Sequence, residues 1–322
     1  METITLRVAS VRELATDIFE YRLEAPDGAP LPPFTPGAHL HVTVPSGGTR
    51  QYSLSNDPED RSAYVIAIKR EADGKGGSQS FIEQTDAGDM VEVSLPRNDF
   101  ELEPGQGGTV LIAGGIGITP ILSMARVLRR QGAPFSFYYL SRSPELTAYR
   151  EELEAGDLAE ALTLHHDFGD PGQSFDLSTI LAEHGDRAVY CCGPTGLLHA
   201  VRSAASHWPR GSVRFEDFGT SPAPAEEAAE AAEGDGFFVR FEGEDERFLV
   251  PEDKSILQVL QEAGRDMPSS CEAGTCGTCR MKLVEGEADH RDLVLFDDEF
   301  DDNIIICCSR AKSQEIVIAD PD

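Results

Sequence analysis

Nowhere in these 322 residues does an apolar run approach the roughly twenty residues that a membrane-spanning helix needs. The opening METITLRVAS also lacks the basic stretch and apolar core of a leader segment and alternates as a strand does, so a soluble, cytoplasmic protein is expected. Basic side chains are scarce: 27 Lys and Arg stand against 57 Asp and Glu, a formal charge of −30. A field of that sign repels nucleic acid and anionic membrane surfaces, which leaves a protein with a basic patch as the compatible kind of partner. A secreted disulfide framework is a poor reading, because the cysteines number seven and Cys271, Cys276, Cys279, Cys307 and Cys308 all crowd the last sixth of the chain. Such clustering in a reducing compartment points to a metal. Residues 221–236, SPAPAEEAAEAAEGDG, contain no aromatic or β-branched side chain, cannot build a core and read as an acidic linker.

What is present falls into three domains. Residues 1–103 carry short strands in which Phe19, Tyr21 and Leu23 alternate with Glu20, Arg22 and Glu24, and Leu40, Val42 and Val44 with His39, His41 and Thr43. With one helix around 80–85, they suggest a small antiparallel β-barrel. Over 104–220, apolar runs at 109–113, 135–140, 162–165, 188–192 and 212–215 alternate with helix-like segments at 120–130, 144–154, 178–184 and 195–206. That is the layout of a doubly wound α/β domain with a parallel sheet. Residues 237–322 show strand pairs at 237–241 and 247–250, a helix over 255–263, a cysteine loop, and closing strands near 304–307 and 315–319.

The cysteine loop is the most specific motif. Cys271, Cys276 and Cys279 form C-x4-C-x2-C, and Cys307 follows 28 positions after Cys279, the plant-type [2Fe–2S] arrangement. Gly274 and Gly277 allow the backbone to turn inward, so that amides can face the sulfides. A structural zinc site usually spaces its ligands as two short pairs, and a thioredoxin-like pair needs neither Cys271 nor a distant fourth ligand. Two weaker motifs occur together in the barrel: Arg50, Tyr52 and Ser53 lie on one strand, and Gly76, Gly77 and Ser78 open a helix. Alternation is expected to place the ring and a hydroxyl on one face, along a flavin, while the helix start and Arg50 form a phosphate site. In the second domain the strand ending at Ala113 runs into Gly114, Gly115, Gly117, Thr119 and Pro120, small residues that let a pyrophosphate approach a helix N-terminus. Cys192, Gly193 and Pro194 follow a later strand, and Cys191 reads as a small buried side chain. None of the eight histidines shows metal spacing, and none is assigned to catalysis.

Taken in order, RQYSLS, KGGS, AGGIGITPI, SRS, CCGP, EDFG, CEAGTCGTC and CCSRAKS resemble the phthalate dioxygenase reductase and vanillate O-demethylase reductase family, within the ferredoxin–NADP reductase superfamily. The resemblance implies an FMN barrel, an NAD domain and a C-terminal α+β ferredoxin domain of the β-grasp type. It implies FMN, NADH and a [2Fe–2S] cluster as cofactors. Arg50, Tyr52 and Ser53 match the flavin strand, Gly76, Gly77 and Ser78 the phosphate turn, and Phe218 the aromatic packed against the flavin. Gly114, Gly115, Gly117 and Thr119 match the nicotinamide-nucleotide loop, Ser141 and Arg142 the adenosine-ribose side, and Cys192, Gly193 and Pro194 the segment beside the nicotinamide. Cys271, Cys276, Cys279 and Cys307 match the cluster ligands, and Ser53, Thr119 and Cys192 the site of hydride transfer. The implied role is that of a monomeric reductase for a Rieske-type oxygenase or demethylase. A cytochrome P450 or another one-electron acceptor is the alternative, and a non-enzymatic redox sensor would have no use for a flavin domain. The linker is longer and more acidic than the family's usual connection.

Overall fold

The computed structural model describes residues 2–72, 76–218 and 236–321. It divides into two compact units, residues 1–220 and 221–322. Apart from Gly236, the linker at 221–236 lies outside the described residues, as does Lys75 of the glycine turn.

The first unit opens with strands β1 (Thr3–Ala15), β2 (Ile18–Glu24), β3 (His39–Thr43), β4 (Thr49–Ser53) and β5 (Tyr64–Lys69), helix α1 (Gly77–Gln84) and strand β6 (Met90–Ser94). The six strands form one antiparallel sheet in the order β4-β3-β6-β1-β2-β5, and a bridge from Leu54 to Ile66 draws its two edges together. Alternation works as expected inside: Leu40, Val42, Tyr21 and Leu23 are buried, and α1 places Phe81 in the core, edge-on to Tyr21 at 5.0 Å. His39 departs from the pattern. It sits on the face opposite Leu40 yet is only 5% exposed, because the segment through Arg97 pairs with it by two backbone hydrogen bonds of 2.8 and 3.0 Å.

There follow β7 (Thr109–Gly114), α2 (Ile118–Gln131), β8 (Phe135–Ser141), α3 (Arg150–Ala155), β9 (Leu162–His166), α4 (Leu177–Leu181), β10 (Ala188–Cys192), α5 (Thr195–Ala204) and β11 (Val213–Glu216). The sheet is parallel throughout, in the order β11-β10-β7-β8-β9. The winding reverses between β7 and β10, which makes the gap between their C-terminal ends the topological switch point where ligands of such sheets bind. The helix expected over 144–154 is interrupted. A short 3-10 turn at Pro144–Leu146 gives way to Tyr149 at φ 60°, and the α-helix begins only at Arg150. Burial decides this, since Ala148 and Tyr149 are sunk in the core and the Tyr149 hydroxyl meets Ser55 Oγ at 3.1 Å. That contact, with Ser123 Oγ donating to Asn56 O at 2.9 Å and Arg126 Nη1 to Ser55 O at 2.8 Å, ties the barrel to the parallel sheet.

The second unit contains β12 (Phe237–Phe241), β13 (Phe248–Val250), α6 (Ile256–Glu262), β14 (Arg280–Glu285), β15 (Ala288–Asp289), β16 (Asn303–Ile305), β17 (Arg310–Ala311) and β18 (Glu315–Ala319). Its mixed sheet, β13-β12-β18-β14-β16, holds β12 parallel to β18, the arrangement of a β-grasp, and α6 buries Ile256, Leu257 and Leu260. A capping box between Ser255 and Gln258 starts that helix. The closing strand expected near 304–307 stops at Ile305. There Ser309 N–H bonds back to Ile305 O at 3.0 Å, so Cys307 and Cys308 lie in a turn.

Candidate functional site

The flavin-like motif is assembled from β4 and the start of α1. Antiparallel register sets Arg50 opposite Val42, Tyr52 opposite Leu40 and Ser53 opposite His39. Arg50 and Tyr52 therefore share one face while Gln51 and Ser53 share the other. This corrects the expectation that ring and hydroxyl lie together. Gly76 caps α1 at φ 75° with no side-chain hydrogen bond to the first turn, whose amides keep their positive end open. Arg50 lies directly over that turn: a Cβ added at Gly77 would fall 2.5 Å from Arg50 Nε. The Ser78 hydroxyl already accepts from Glu71 N–H at 3.1 Å, which leaves its amide as the group that could meet a phosphate. The Tyr52 hydroxyl is buried without a partner among the described residues, and burial pushes its pKa up to about 12. A neutral phenol in that position calls for a ligand's polar group, so the donor set fits a flavin nucleotide.

At the switch point two loops close on each other. A Cβ at Gly117 would meet Cys192 O at 2.2 Å, and one at Gly193 would meet Gly114 Cα at 2.9 Å, so only glycine permits the approach. Gly115 takes φ 54° in the same turn, and Pro194 stands as the N-cap of α5. Thr119 is buried in the first turn of α2 and its hydroxyl donates to Ile116 O at 3.2 Å, turned back onto its own loop.

One functional residue escaped the sequence reading. Glu216, the last residue of β11, is the strand partner of Cys192, and its Oε2 accepts from Ser53 Oγ at 3.3 Å and lies 3.9 Å from Cys192 Sγ. Ser53, Cys192 and Glu216, far apart in sequence, thus meet where barrel and sheet join. The only signal was its place in EDFG, at a strand's C-terminal end. Burial, reinforced by the Glu216 carboxylate, raises the Cys192 thiol pKa well above its ordinary range. Cys191, on the opposite face, is wholly buried as expected. Phe218 is half-buried against the core of the parallel-sheet domain. Ser141, at the end of β8, meets Thr147 Oγ1 at 2.6 Å, and Thr147 in turn meets His166 Nε2 at 3.0 Å. Arg142 O accepts from Phe168 N–H at 2.8 Å.

In the second unit the ligand candidates form two pairs. The neighbouring Cys276 thiol and burial raise the pKa of Cys271, and Cys271 in turn lowers that of Cys276 to about 6, while Cys271 Sγ accepts from Ala273 N–H at 3.5 Å. The neighbouring Cys307 thiol, then burial, raises the pKa of Cys279, and Cys307 has Cys308 as a second thiol neighbour. Two thiols per iron is the demand of a binuclear cluster. Glu272, Gly274 and Gly277 all take positive φ, between 52° and 76°, and so wind the loop inward. Cys308 packs beneath the loop, its Sγ 2.6 Å from where a Cβ on Gly274 would stand.

Comparison with known proteins agrees with this geometry. Residues 5–102 match the model of an oxidoreductase FAD-binding domain and residues 239–312 that of a 2Fe-2S iron-sulfur cluster binding domain. The phthalate dioxygenase reductase of Burkholderia cepacia is 49% identical over 321 residues, covering 98% of this chain and 97% of the relative. The solved structure of a phthalate dioxygenase reductase, described as modular for electron transfer from pyridine nucleotides to [2Fe-2S], aligns with a TM-score of 0.70 at 48% identity and covers 98% of each chain. An intact type IV self-sufficient cytochrome P450 monooxygenase aligns with a TM-score of 0.70 at 34% identity, covering 98% of this chain and 41% of that one. The chain belongs to the phthalate dioxygenase reductase family, flavin- and iron–sulfur-containing oxidoreductases within the ferredoxin–NADP reductase superfamily.

Proposed function

We propose that this protein is the cytoplasmic, monomeric reductase component of a Rieske-type oxygenase or demethylase system, drawing on NADH and using FMN and one [2Fe–2S] cluster. In this reading residues 1–103 hold the flavin, 104–220 the nicotinamide nucleotide and 237–322 the cluster. The observation that carries it is the meeting of Ser53, Cys192 and Glu216 at the switch point of the sheet, beside an anion cradle of Arg50 and the first turn of α1. A bound flavin supplies hydride acceptance and one-electron release, which side chains cannot. Arg50 and the amides of Gly77 and Ser78 would hold its phosphate. Ser53 and Glu216 keep a hydrogen bond to each other at the switch point, where they would face a bound nicotinamide, and Gly114, Gly117 and Gly193 let the two loops close. The raised thiol pKa keeps Cys192 protonated, so it would offer a bound nicotinamide a neutral surface and not a nucleophile. Thr119 shapes the loop through its bond to Ile116, and Cys271, Cys276, Cys279 and Cys307 hold the cluster.

The test is anaerobic purification followed by titration with NADH. FMN, with about two irons and two acid-labile sulfides per chain, should be recovered, and NADH should bleach both chromophores. Recovery of FAD overturns the FMN assignment. A cluster that stays oxidised while the flavin is reduced overturns the electron path. The match over 98% of this chain to part of a self-sufficient P450 supports a second acceptor class. Transfer rates to a Rieske-type oxygenase and to a P450 separate the two.

A further inference from the structure

We propose that Phe168 is a preformed platform on which the adenine ring of the nicotinamide nucleotide stacks; this rests on the function proposed above. Phe168 is a large aromatic left 65% exposed in a unit that otherwise buries its rings well. It lies two residues past the end of β9, and its backbone takes φ 53°, a left-handed conformation that is strained for a non-glycine residue. Solvent-exposed Phe gains nothing from that strain, yet the surrounding backbone fixes it firmly. Phe168 N–H bonds to Arg142 O at 2.8 Å, Asp167 N–H to Ser141 O at 3.3 Å, and Asp170 N–H to Asp167 O at 2.9 Å. The Asp167 carboxylate closes the turn by accepting from Gly169 N–H at 2.8 Å. His166 supports the ring from the strand side, 6.1 Å between centroids.

Position supplies the ligand. The ring stands at the C-terminal edge of the parallel sheet, the edge on which nucleotides bind, and is bonded through its backbone to Arg142, the residue next to Ser141 on the proposed adenosine side. A rigid, wetted aromatic face suits a flat heteroaromatic ring, and holding it beforehand removes the entropy of ordering it on binding. Two adenines could use such a face, that of NADH and that of FAD.

The experiment compares Phe168→Ala, Phe168→Gly and Phe168→Tyr in the full-length holoprotein with NADH and with reduced nicotinamide mononucleotide, which lacks adenine. The glycine variant removes the ring while relaxing the backbone, so strain and stacking are separated. Both ring-less variants should raise KM for NADH about tenfold or more, the order that a base stacked on an aromatic contributes. They should leave the limiting rate of flavin reduction and all parameters for the mononucleotide unchanged. The tyrosine variant should behave as the parent, and inhibition by AMP should weaken in parallel with the KM for NADH. An unchanged KM for NADH in both ring-less variants overturns the proposal. Loss of bound flavin with an unchanged KM overturns it in favour of a flavin adenine. If the parent protein itself is not reduced by NADH, the underlying functional reading fails instead.

Discussion

The two units build their sites in opposite ways. The proposed cluster site in residues 237–322 is mostly local: three of the four proposed thiol ligands lie within nine residues, and positive-φ backbone at Glu272, Gly274 and Gly277 winds that loop inward. The site in the first unit has no such core in sequence. Ser53, Gly117, Cys192 and Glu216 come from four segments spread over more than 160 residues and meet only because β10 lies between β7 and β11 and the barrel closes against them. A local site should therefore respond to substitution alone, whereas a dispersed one should respond to anything that shifts two segments relative to each other.

The largest effect tests the independence of the local site. Cys276→Ala, or Cys307→Ala, should abolish the cluster's visible and EPR spectra while NADH still reduces the flavin and, through it, ferricyanide. Loss of flavin in the same variant would break the contrast between the units. Cys308→Ala should keep the cluster, since Cys307 is the expected fourth ligand and Cys308 packs beneath the loop against Gly274. The next effect belongs to the dispersed site. Gly117→Ala would press a methyl to 2.2 Å from Cys192 O and force the two loops apart. Overpacking of this kind costs roughly 1–3 kcal/mol, so stopped-flow flavin reduction should slow by about tenfold to a hundredfold with an unaltered cluster spectrum.

A smaller effect concerns stability. Burial, then the neighbouring His41, lowers the pKa of His39 to about 4, below the ordinary 6.5. As pH falls through that window the unfolded chain binds the proton first. The stability contributed by neutral His39 is thus complete above 6.5, and on the order of 2–3 kcal/mol is lost by pH 4. Thermal unfolding followed through the flavin should show this slope, and His39→Asn should flatten it. A slope that persists in the variant would assign it to another group.

The smallest effect distinguishes the units by charge. Residues 237–322 carry 21 acidic and 9 basic side chains, a higher negative density than the rest of the chain. Steering between exposed charges is screened over about 8 Å at physiological ionic strength. Raising salt should then slow transfer to the oxygenase a few-fold and leave flavin reduction by NADH nearly unchanged. An acceptor step indifferent to salt would remove acidic docking from the reading.

Periodicity and spacing pointed to the barrel, the parallel sheet and the cluster loop, because alternation, helical recurrence and C-x4-C-x2-C are written in consecutive residues, whereas the ferredoxin fold of residues 237–322 came from the family resemblance. Where burial competed with propensity the local signal failed. Tyr149 broke the helix expected at 144–154 to reach Ser55, His39 was covered by the segment at Arg97, and the turn after Ile305 took Cys307 and Cys308 off a strand. Only the tertiary structure brought Glu216 to Ser53 and Cys192 and set Phe168 outward at the rim of the sheet. Strand order and loop closure determine those meetings through contacts between distant segments, and no window of sequence contains both partners.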